Sequence, residues 1–350
     1  MKVIVTGGLG YIGSHTVVEL LNAGYEVVII DNLSNSSESV FPAIVKITDK
    51  IPQLYNMDLR SAQGLSRIFE AHFDAVAVIH FAAYKSVGES MTNPAKYYLN
   101  NVYGTYNLLS TMKLVGIKNL VFSSSCTVYG EADELPVTEQ TPQKTASSTY
   151  GYTKQVCERM IADFHREYDY NSVLLRYFNP IGAHQSALIG ELPNGQYDNL
   201  MPLVAETAQG KRKEFTVYGT DYDTEDGTCV RDYLHVVDLA KAHVKAIDAC
   251  KEKEFDAEPI NLGTGEGYSV KQVLEAFERV NGVKVKTEYG DRRDGDVTAI
   301  YADPSYAKKV LGWKAELGLD EMVESTWKWQ KQISKKCCGN SCGCHANKKL

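Results

Sequence analysis

Apolar residues in the first half of the chain come in short, dense runs separated by longer amphipathic stretches. KVIVT (2–6), EVVII (26–30), DAVAVIHFA (74–82) and NLVFSSS (119–125) are apolar and β-branched at nearly every position, not at alternate ones. Such runs fit strands covered on both faces, as in a parallel sheet. Between them, segments near 12–23, 61–72 and 94–115 carry helical spacing. Strands alternating with helices predict βαβ units. YGYTKQVCERMIADFHREY then predicts a long helix that feeds a further strand, NSVLLRYFN. Beyond about residue 180 the texture changes. NPIGAHQSALIGELPNGQYDNLMP is rich in Gly, Pro and Asn and predicts a lobe built from loops. HVVDLAKAHVKAIDAC (235–250), VKQVLEAFERV and GLDEMVESTWKWQKQ predict helices, and PINLG a strand.

Composition narrows the class. At 350 residues the chain has room for a sheet domain plus a lobe. A formal charge of −7 argues against nucleic acid or an anionic membrane as partner. No apolar run is long enough to span a bilayer. The start MKVIVTGGLG is interrupted by glycines too early for a signal peptide, so a cytoplasmic location is expected. Of the 8 cysteines, Cys126, Cys157, Cys229 and Cys250 read as reduced, buried, small hydrophobes. Cys337, Cys338, Cys342 and Cys344 crowd with His345 into KKCCGNSCGCHANKK, too compact for a structural zinc site. That segment reads as a flexible tail; thiolates so close could still bind a soft metal ion, a role that would coexist with catalysis, and no metal site is assigned.

The chemistry lies in two motifs. KVIVT runs straight into GGLGYIG, where Gly7, Gly10 and Gly13 (with Gly8 giving the tighter G-x-G-x-x-G) precede a helix. Glycines at this strand–turn–helix junction permit a tight turn and close approach to a pyrophosphate, which the helix N-terminus attracts. Asp31 ends the second strand, where an acid binds a ribose 2′-hydroxyl and repels a 2′-phosphate; NAD is therefore favoured over NADP. The expected fold is α/β, a Rossmann-type doubly wound parallel sheet with a smaller α/β carboxyl-terminal lobe. Residues 1–178 would form the NAD-binding domain, with a returning segment near 235–265; 179–335 would form the lobe and 336–350 the tail. The second motif is Tyr150 with Lys154, four apart on one helical face. The chain holds 22 tyrosines, so the pair means little alone. Beside Ser123, Ser124 and Ser125 at a strand end, it suits proton abstraction from a hydroxyl whose carbon yields hydride. A cation near the phenol would lower its pKa.

TGGLGYIGSHTVVELL, YFNPIGAH, NLMPLV, RDYLHVVDLA and INLGTGEGYSV occur here in the order found in UDP-glucose 4-epimerases. The chain resembles that family, of the extended short-chain dehydrogenase/reductases, over about residues 1–333. The resemblance implies a homodimer, through helices near 94–115 and 151–168, that interconverts UDP-glucose and UDP-galactose. It implies catalysis by Tyr150, Lys154 and Ser125. Cofactor contacts would come from Gly7, Gly10, Tyr11, Ile12, Gly13, Asp31, Asn32, Asn35, Asp58, Leu59, Phe81, Ala82, Lys85, Asn100, Ser123 and Phe178, together with Tyr150 and Lys154. Substrate contacts would come from Ser125, Thr127, Tyr150, Asn179, Asn199, Leu200, Tyr218, Arg231, Arg293, Asp296 and Ile300. Many bacterial members carry tyrosine where this chain has Ile300, which implies that UDP-GlcNAc and UDP-GalNAc are also accepted, more slowly. Two rivals remain at this point. A nucleotide-sugar dehydratase or decarboxylase would place an acid beside the catalytic serine, and SSSCTVYG has none. A non-catalytic NAD-sensing scaffold would have lost the Tyr/Lys pair.

Overall fold

The computed structural model describes residues 1–192, 199–293 and 295–339, with side chains to 335. Cys342, Cys344 and His345 lie outside the described residues, as do the side chains of Cys337 and Cys338. Six strands open the chain: β1 (Lys2–Thr6), β2 (Glu26–Asp31), β3 (Gln53–Asn56), β4 (Ala75–His80), β5 (Asn119–Ser123) and β6 (Asn171–Tyr177). With a seventh, Glu258–Leu262, they form one sheet in the order Glu258–Leu262, β6, β5, β4, β1, β2, β3. Every pairing in it is parallel.

The continuous apolar runs follow from this burial. Val3, Val5, Ile29, Ile79 and Val173 face one side, where helices Tyr11–Asn22 and Val236–Glu252 pack through Val17, Val18, Leu21, Leu239 and Ala246. Ile4, Val28, Val78, Leu120 and Leu174 face the other, against helices Ala62–Ala71, Tyr103–Val115 and Thr149–Tyr168. Alternate residues of one strand thus enter two different cores. A third core belongs to the carboxyl-terminal half, where Met201, Val204, Phe215, Phe277, Met322 and Trp327 meet. A fourth joins Cys126, Val128, Tyr129 and Phe178 from the sheet side to Ile300 and Ala302.

The structure departs from the sequence reading in three places. The stretch 94–115 is not one helix. It breaks into helix Pro94–Tyr97, a π-helical turn Tyr98–Val102 and helix Tyr103–Val115. Asn101, inside the turn, holds the Tyr84 backbone at both N–H (2.9 Å) and C=O (3.0 Å). The region after 180 is also more than loops. Asn179–Ile181 pairs with Tyr233–His235, Leu200–Ala208 is helical, and Ala299–Ile300 pairs in parallel with Val230–Arg231. Finally, β3 and helices Val40–Thr48 and Val87–Thr92 had no sequence assignment.

Candidate active site

β1 delivers the chain into the glycine turn. Gly7 has φ +70°, and a Cβ there would lie 2.8 Å from the Ala82 nitrogen. At Gly13 a Cβ would lie 2.2 Å from the Gly7 carbonyl oxygen, so that glycine lets helix Tyr11–Asn22 pack onto the turn. Gly10 begins the helix with no side-chain cap, and no acid sits in the first turn to cancel its positive end. Asp31 lies alongside, buried, accepting from the N–H groups of Leu9 (3.0 Å) and Leu33 (2.9 Å) and from Ser36 Oγ (2.7 Å). A carboxylate offers about four acceptor sites, so capacity remains for a ribose hydroxyl. The cradle fits a dinucleotide.

Other expected cofactor residues ring this turn. Ile12 lies in the first turn of the helix, and exposed Asn35 follows β2. Asn32 donates to Asp58 (2.9 Å), whose carboxyl Arg60 holds well below the usual range. Leu59 is buried under the Gly104 Cα. Phe81 packs against His243 with the rings tilted and their centres 4.6 Å apart, and the Asn100 amide reaches Asn101 (3.1 Å). Tyr11 donates to the Gly182 carbonyl (2.6 Å), tying this region to the lobe. Lys85 pairs with Glu191 (3.1 Å), which Asn199 also contacts.

The catalytic candidates converge where β5 ends. Ser148 caps helix Thr149–Tyr168 by accepting from Gly151 (3.1 Å), which fixes the helix start one residue before Tyr150. Lys154 Nζ donates to the Ser123 carbonyl (2.5 Å) and lies 4.8 Å over the Phe122 ring. Its distance to the Tyr150 ring centre is 6.0 Å. Ser125 begins the short 3-10 turn Cys126–Tyr129 in extended conformation and accepts from Thr127 N–H (3.3 Å). Thr127 Oγ1 is buried with no partner among the described residues.

The electrostatics differ from the spacing argument. Burial pushes the Tyr150 phenol up to about 12, with its hydrogen bond to Ser125 working the other way. Burial also brings Lys154 down to about 8. In the protein itself desolvation dominates the Tyr150 phenol, and the hydrogen bond from Ser125 only partly offsets it. Bringing the phenol from there to neutrality takes about 7 kcal/mol, at about 1.36 kcal/mol per unit.

The lobe supplies a second cluster. Asp296 stands between Arg231 (3.6 Å) and Arg293 (3.2 Å), and the Arg293 guanidinium lies 4.9 Å over the Tyr218 ring. Ile300 pairs in register with Arg231 and is buried in the same apolar cluster as Cys126 and Phe178. Arg231 also acts electrostatically on the Cys126 thiol, one residue from Ser125. These contacts bring the lobe cluster against the catalytic turn. Asn179 follows Phe178 into the lobe, its N–H bonded to the Asp232 carbonyl (3.0 Å). Leu200 opens helix Leu200–Ala208, next to Asn199 and apart from the arginines in sequence.

Four residues had no role in the sequence reading. Tyr177 bonds Ser123 through the two hydroxyls, Glu191 joins Lys85 to Asn199, and Glu158 and Arg176 form a buried pair (2.7 Å). Only Glu158 carried a signal, four residues after Lys154 on the same helical face.

Residues 4–326 match the family described as GDP-mannose 4,6 dehydratase. The matched span takes in both the glycine turn and the lobe arginines, and defines the chain as an enzyme of nucleotide-linked sugars. Among curated relatives, the UDP-glucose 4-epimerase of Bacillus subtilis (strain 168) is 50% identical over 331 residues, covering 94% of this chain and 97% of that one. The solved UDP-glucose 4-epimerase from Bifidobacterium longum, in complex with NAD+ and UDP, superposes with TM-score 0.92 at 48% identity, over 95% of this chain and 99% of the other. That from Stenotrophomonas maltophila, with bound NAD and formylated UDP-arabinopyranose, gives 0.92 at 46%, over 96% and 99%. The chain belongs to the UDP-glucose 4-epimerase family. Ser125 is followed by Cys126 and Thr127, neither of which is the acid a dehydratase would use.

Proposed function

We infer that the protein interconverts UDP-glucose and UDP-galactose by oxidising C4, turning the 4-keto sugar and reducing its other face, with NAD as cofactor. Membership of the epimerase family carries this reading. The meeting of Ser125, Tyr150 and Lys154 at the end of β5, at the same carboxyl edge of the sheet as the glycine turn after β1, supports the assignment of roles. Gly7, Gly10 and Gly13 would admit the pyrophosphate and Asp31 would bind the adenosine ribose. NAD, when bound, supplies hydride acceptance at C4 and its return, and its positive ring favours the phenolate. Tyr150 takes the O4 proton and later gives one back. Ser125 holds O4, with Thr127 Oγ1 as a further partner for a sugar hydroxyl. Lys154 holds its proton close by and keeps the strand end against the helix through the Ser123 carbonyl. Arg231 and Arg293 would grip the diphosphate, sharing themselves with Asp296, while the sugar stays free to turn.

We further propose the division into a sheet domain (1–178, with the returning segment) and a lobe (179–335), a homodimer and a cytoplasmic location. None of the helices, among the described residues, is long and apolar enough to cross a membrane.

The direct test is incubation with UDP-galactose. UDP-glucose should accumulate to equilibrium without stoichiometric NADH, and steady NADH with a keto or acid product would overturn the reading. Tyr150→Phe should lose about 10²–10⁴-fold in turnover while NAD and UDP still bind.

A further inference from the structure

Three consecutive serines at the end of β5 point in three directions, and each meets a different residue of one helix. Ser125 bonds Tyr150, the Ser123 carbonyl accepts from Lys154 (2.5 Å), and Ser124 Oγ donates to Glu158 Oε1 (2.5 Å). Tyr150, Lys154 and Glu158 follow one another at four-residue steps, so they line one face of helix Thr149–Tyr168. Glu158 has no part in the proton and hydride steps, yet its side chain is only 5% exposed.

Its partners explain where it is anchored. Arg176, on β6, donates to it twice, through Nε (3.0 Å) and Nη2 (2.7 Å). Gln143 Nε2 adds a third donor (2.6 Å) and Ser124 a fourth, filling the carboxylate. The chain of bonds continues outward. Arg176 reaches the Tyr129 hydroxyl (3.1 Å), and Tyr129 donates to Asn261 on the strand Glu258–Leu262 (2.7 Å). The Asn261 amide donates to the Val137 carbonyl (3.2 Å), and Val137 N–H to that of Tyr301 (2.9 Å), next to Ile300. A buried ion pair is weak evidence for stability, since apolar residues of equal volume serve as well; fixing a register is its better-attested use.

We propose that Glu158 is a positioning residue for the epimerisation: by holding Ser124 it keeps Ser123 and Ser125 in register with Lys154 and Tyr150, and its charge faces Lys154. This rests on the roles assigned above to Ser125, Tyr150 and Lys154. Lys154 is surrounded by Tyr150, Cys157 and Glu158 on its own helix, His80 on β4, Phe122 and Ser123 on β5, and Tyr177 beyond Ser123 on β6. Glu158 is the one carboxylate among these groups. Burial drives the ammonium towards losing its proton, and Cys157 and then Glu158 act in the opposite sense.

The test compares NAD-loaded wild type with Glu158→Gln and with Glu158→Gln/Arg176→Met. The double variant removes both charges of the Glu158–Arg176 pair, so neither is left buried without the other, and it keeps the measurement possible where the single variant does not fold. Turnover of UDP-galactose is followed from pH 6 to 9.5. At pH 8, kcat should fall about 10- to 100-fold with KM changed by less than about threefold, because the loss is of alignment and not of UDP binding. The alkaline limb, where Lys154 gives up its proton, should move down by about one pH unit in both variants. Arg176→Lys, which keeps both charges of the pair, should hold the limb in place. A folded double variant with wild-type kcat and an unmoved limb overturns the proposal. If that variant is unaffected while Tyr150→Phe is inactive, only the role of Glu158 fails; an active Tyr150→Phe overturns the underlying assignment and this proposal with it.

Discussion

Ile300 is 5% exposed and stands one strand position from the arginine cluster and one apolar cluster from the catalytic turn. In the proposed substrate contacts a side chain there would border the space in which the sugar turns, and its volume would set what else fits. Isoleucine leaves more room than tyrosine, so UDP-GlcNAc and UDP-GalNAc should interconvert detectably, though more slowly than UDP-glucose and UDP-galactose. One apolar side chain shifts such discrimination by about 1–3 kcal/mol. Ile300→Tyr should therefore lower acetamido-sugar turnover roughly 10- to 200-fold relative to the hexoses, and Ile300→Ser should raise it. Equal handling by wild type and the tyrosine variant would show that Ile300 is not the gate. The tyrosine variant should also be less stable by about 1–3 kcal/mol, because Cys126, Val128, Phe178 and Ala302 already fill the cluster. At this scale the sequence was informative wherever a residue type and a spacing together imply a chemistry, as at Gly7, Asp31 and Tyr150. It was silent on Glu191 and Tyr177, whose partners are distant in the chain and ordinary in type. It was silent on the burial that raises the Tyr150 phenol, because four-residue spacing reports neighbours and says nothing of desolvation.

Among the elements, helix Tyr103–Val115, its π-helical turn and helix Thr149–Tyr168 bear an unusual outer face. Tyr98, Tyr103, Tyr106 and Tyr152 are each 42–49% exposed, and Tyr98 lies 6.4 Å from Tyr152 across the two helices. Exposed aromatics gathered on one face of a monomer mark an interaction surface. The proposed homodimer would cover them, and Tyr103→Glu/Tyr106→Glu should convert dimer to monomer in sedimentation equilibrium. A wild-type protein that sediments as a monomer would remove this face from consideration. Long elements were legible because twelve or more residues repeat a period. The strands of two to four residues in the lobe were not, since two residues have no period to read. The break at 98–102 escaped for another reason. Helical spacing persists through it, and only the tertiary grip of Asn101 on Tyr84 distinguishes the turn.

The whole molecule carries an acid-sensitive load of histidine. Burial lowers His15 and His80 to about 3, and His235 and His243 to about 4. Each is folded as the neutral ring; His80, for instance, bonds Thr6 (2.7 Å) and Thr105 (2.9 Å). Their unfolded pKa is near 6.5, so below that value the unfolded chain binds more protons than the folded one. The stability they contribute is fully present above pH 6.5 and drains as pH falls towards 4. Buried Asp232 and Glu139, held above their ordinary values by desolvation, act in the opposite sense. One pH unit across four such groups is worth about 5 kcal/mol, comparable with a typical domain's entire stability. The urea midpoint should accordingly fall between pH 7 and pH 5, and a constant midpoint would falsify this account.

The strand Glu258–Leu262 gives the molecule a further property. It closes the sheet beside β6 some eighty residues after the chain first left it, so the polypeptide enters the nucleotide-binding half twice. A fragment ending near residue 178 would lack its outermost strand, with the carbonyls and amides of Val173–Tyr177 bare and Leu174 and Leu175 open at the rim. Neither half is a detachable cassette. Swapping lobes between relatives while keeping this chain's own sheet would require two splice points, one on each side of the excursion, because a single crossover would also exchange the outermost strand Glu258–Leu262.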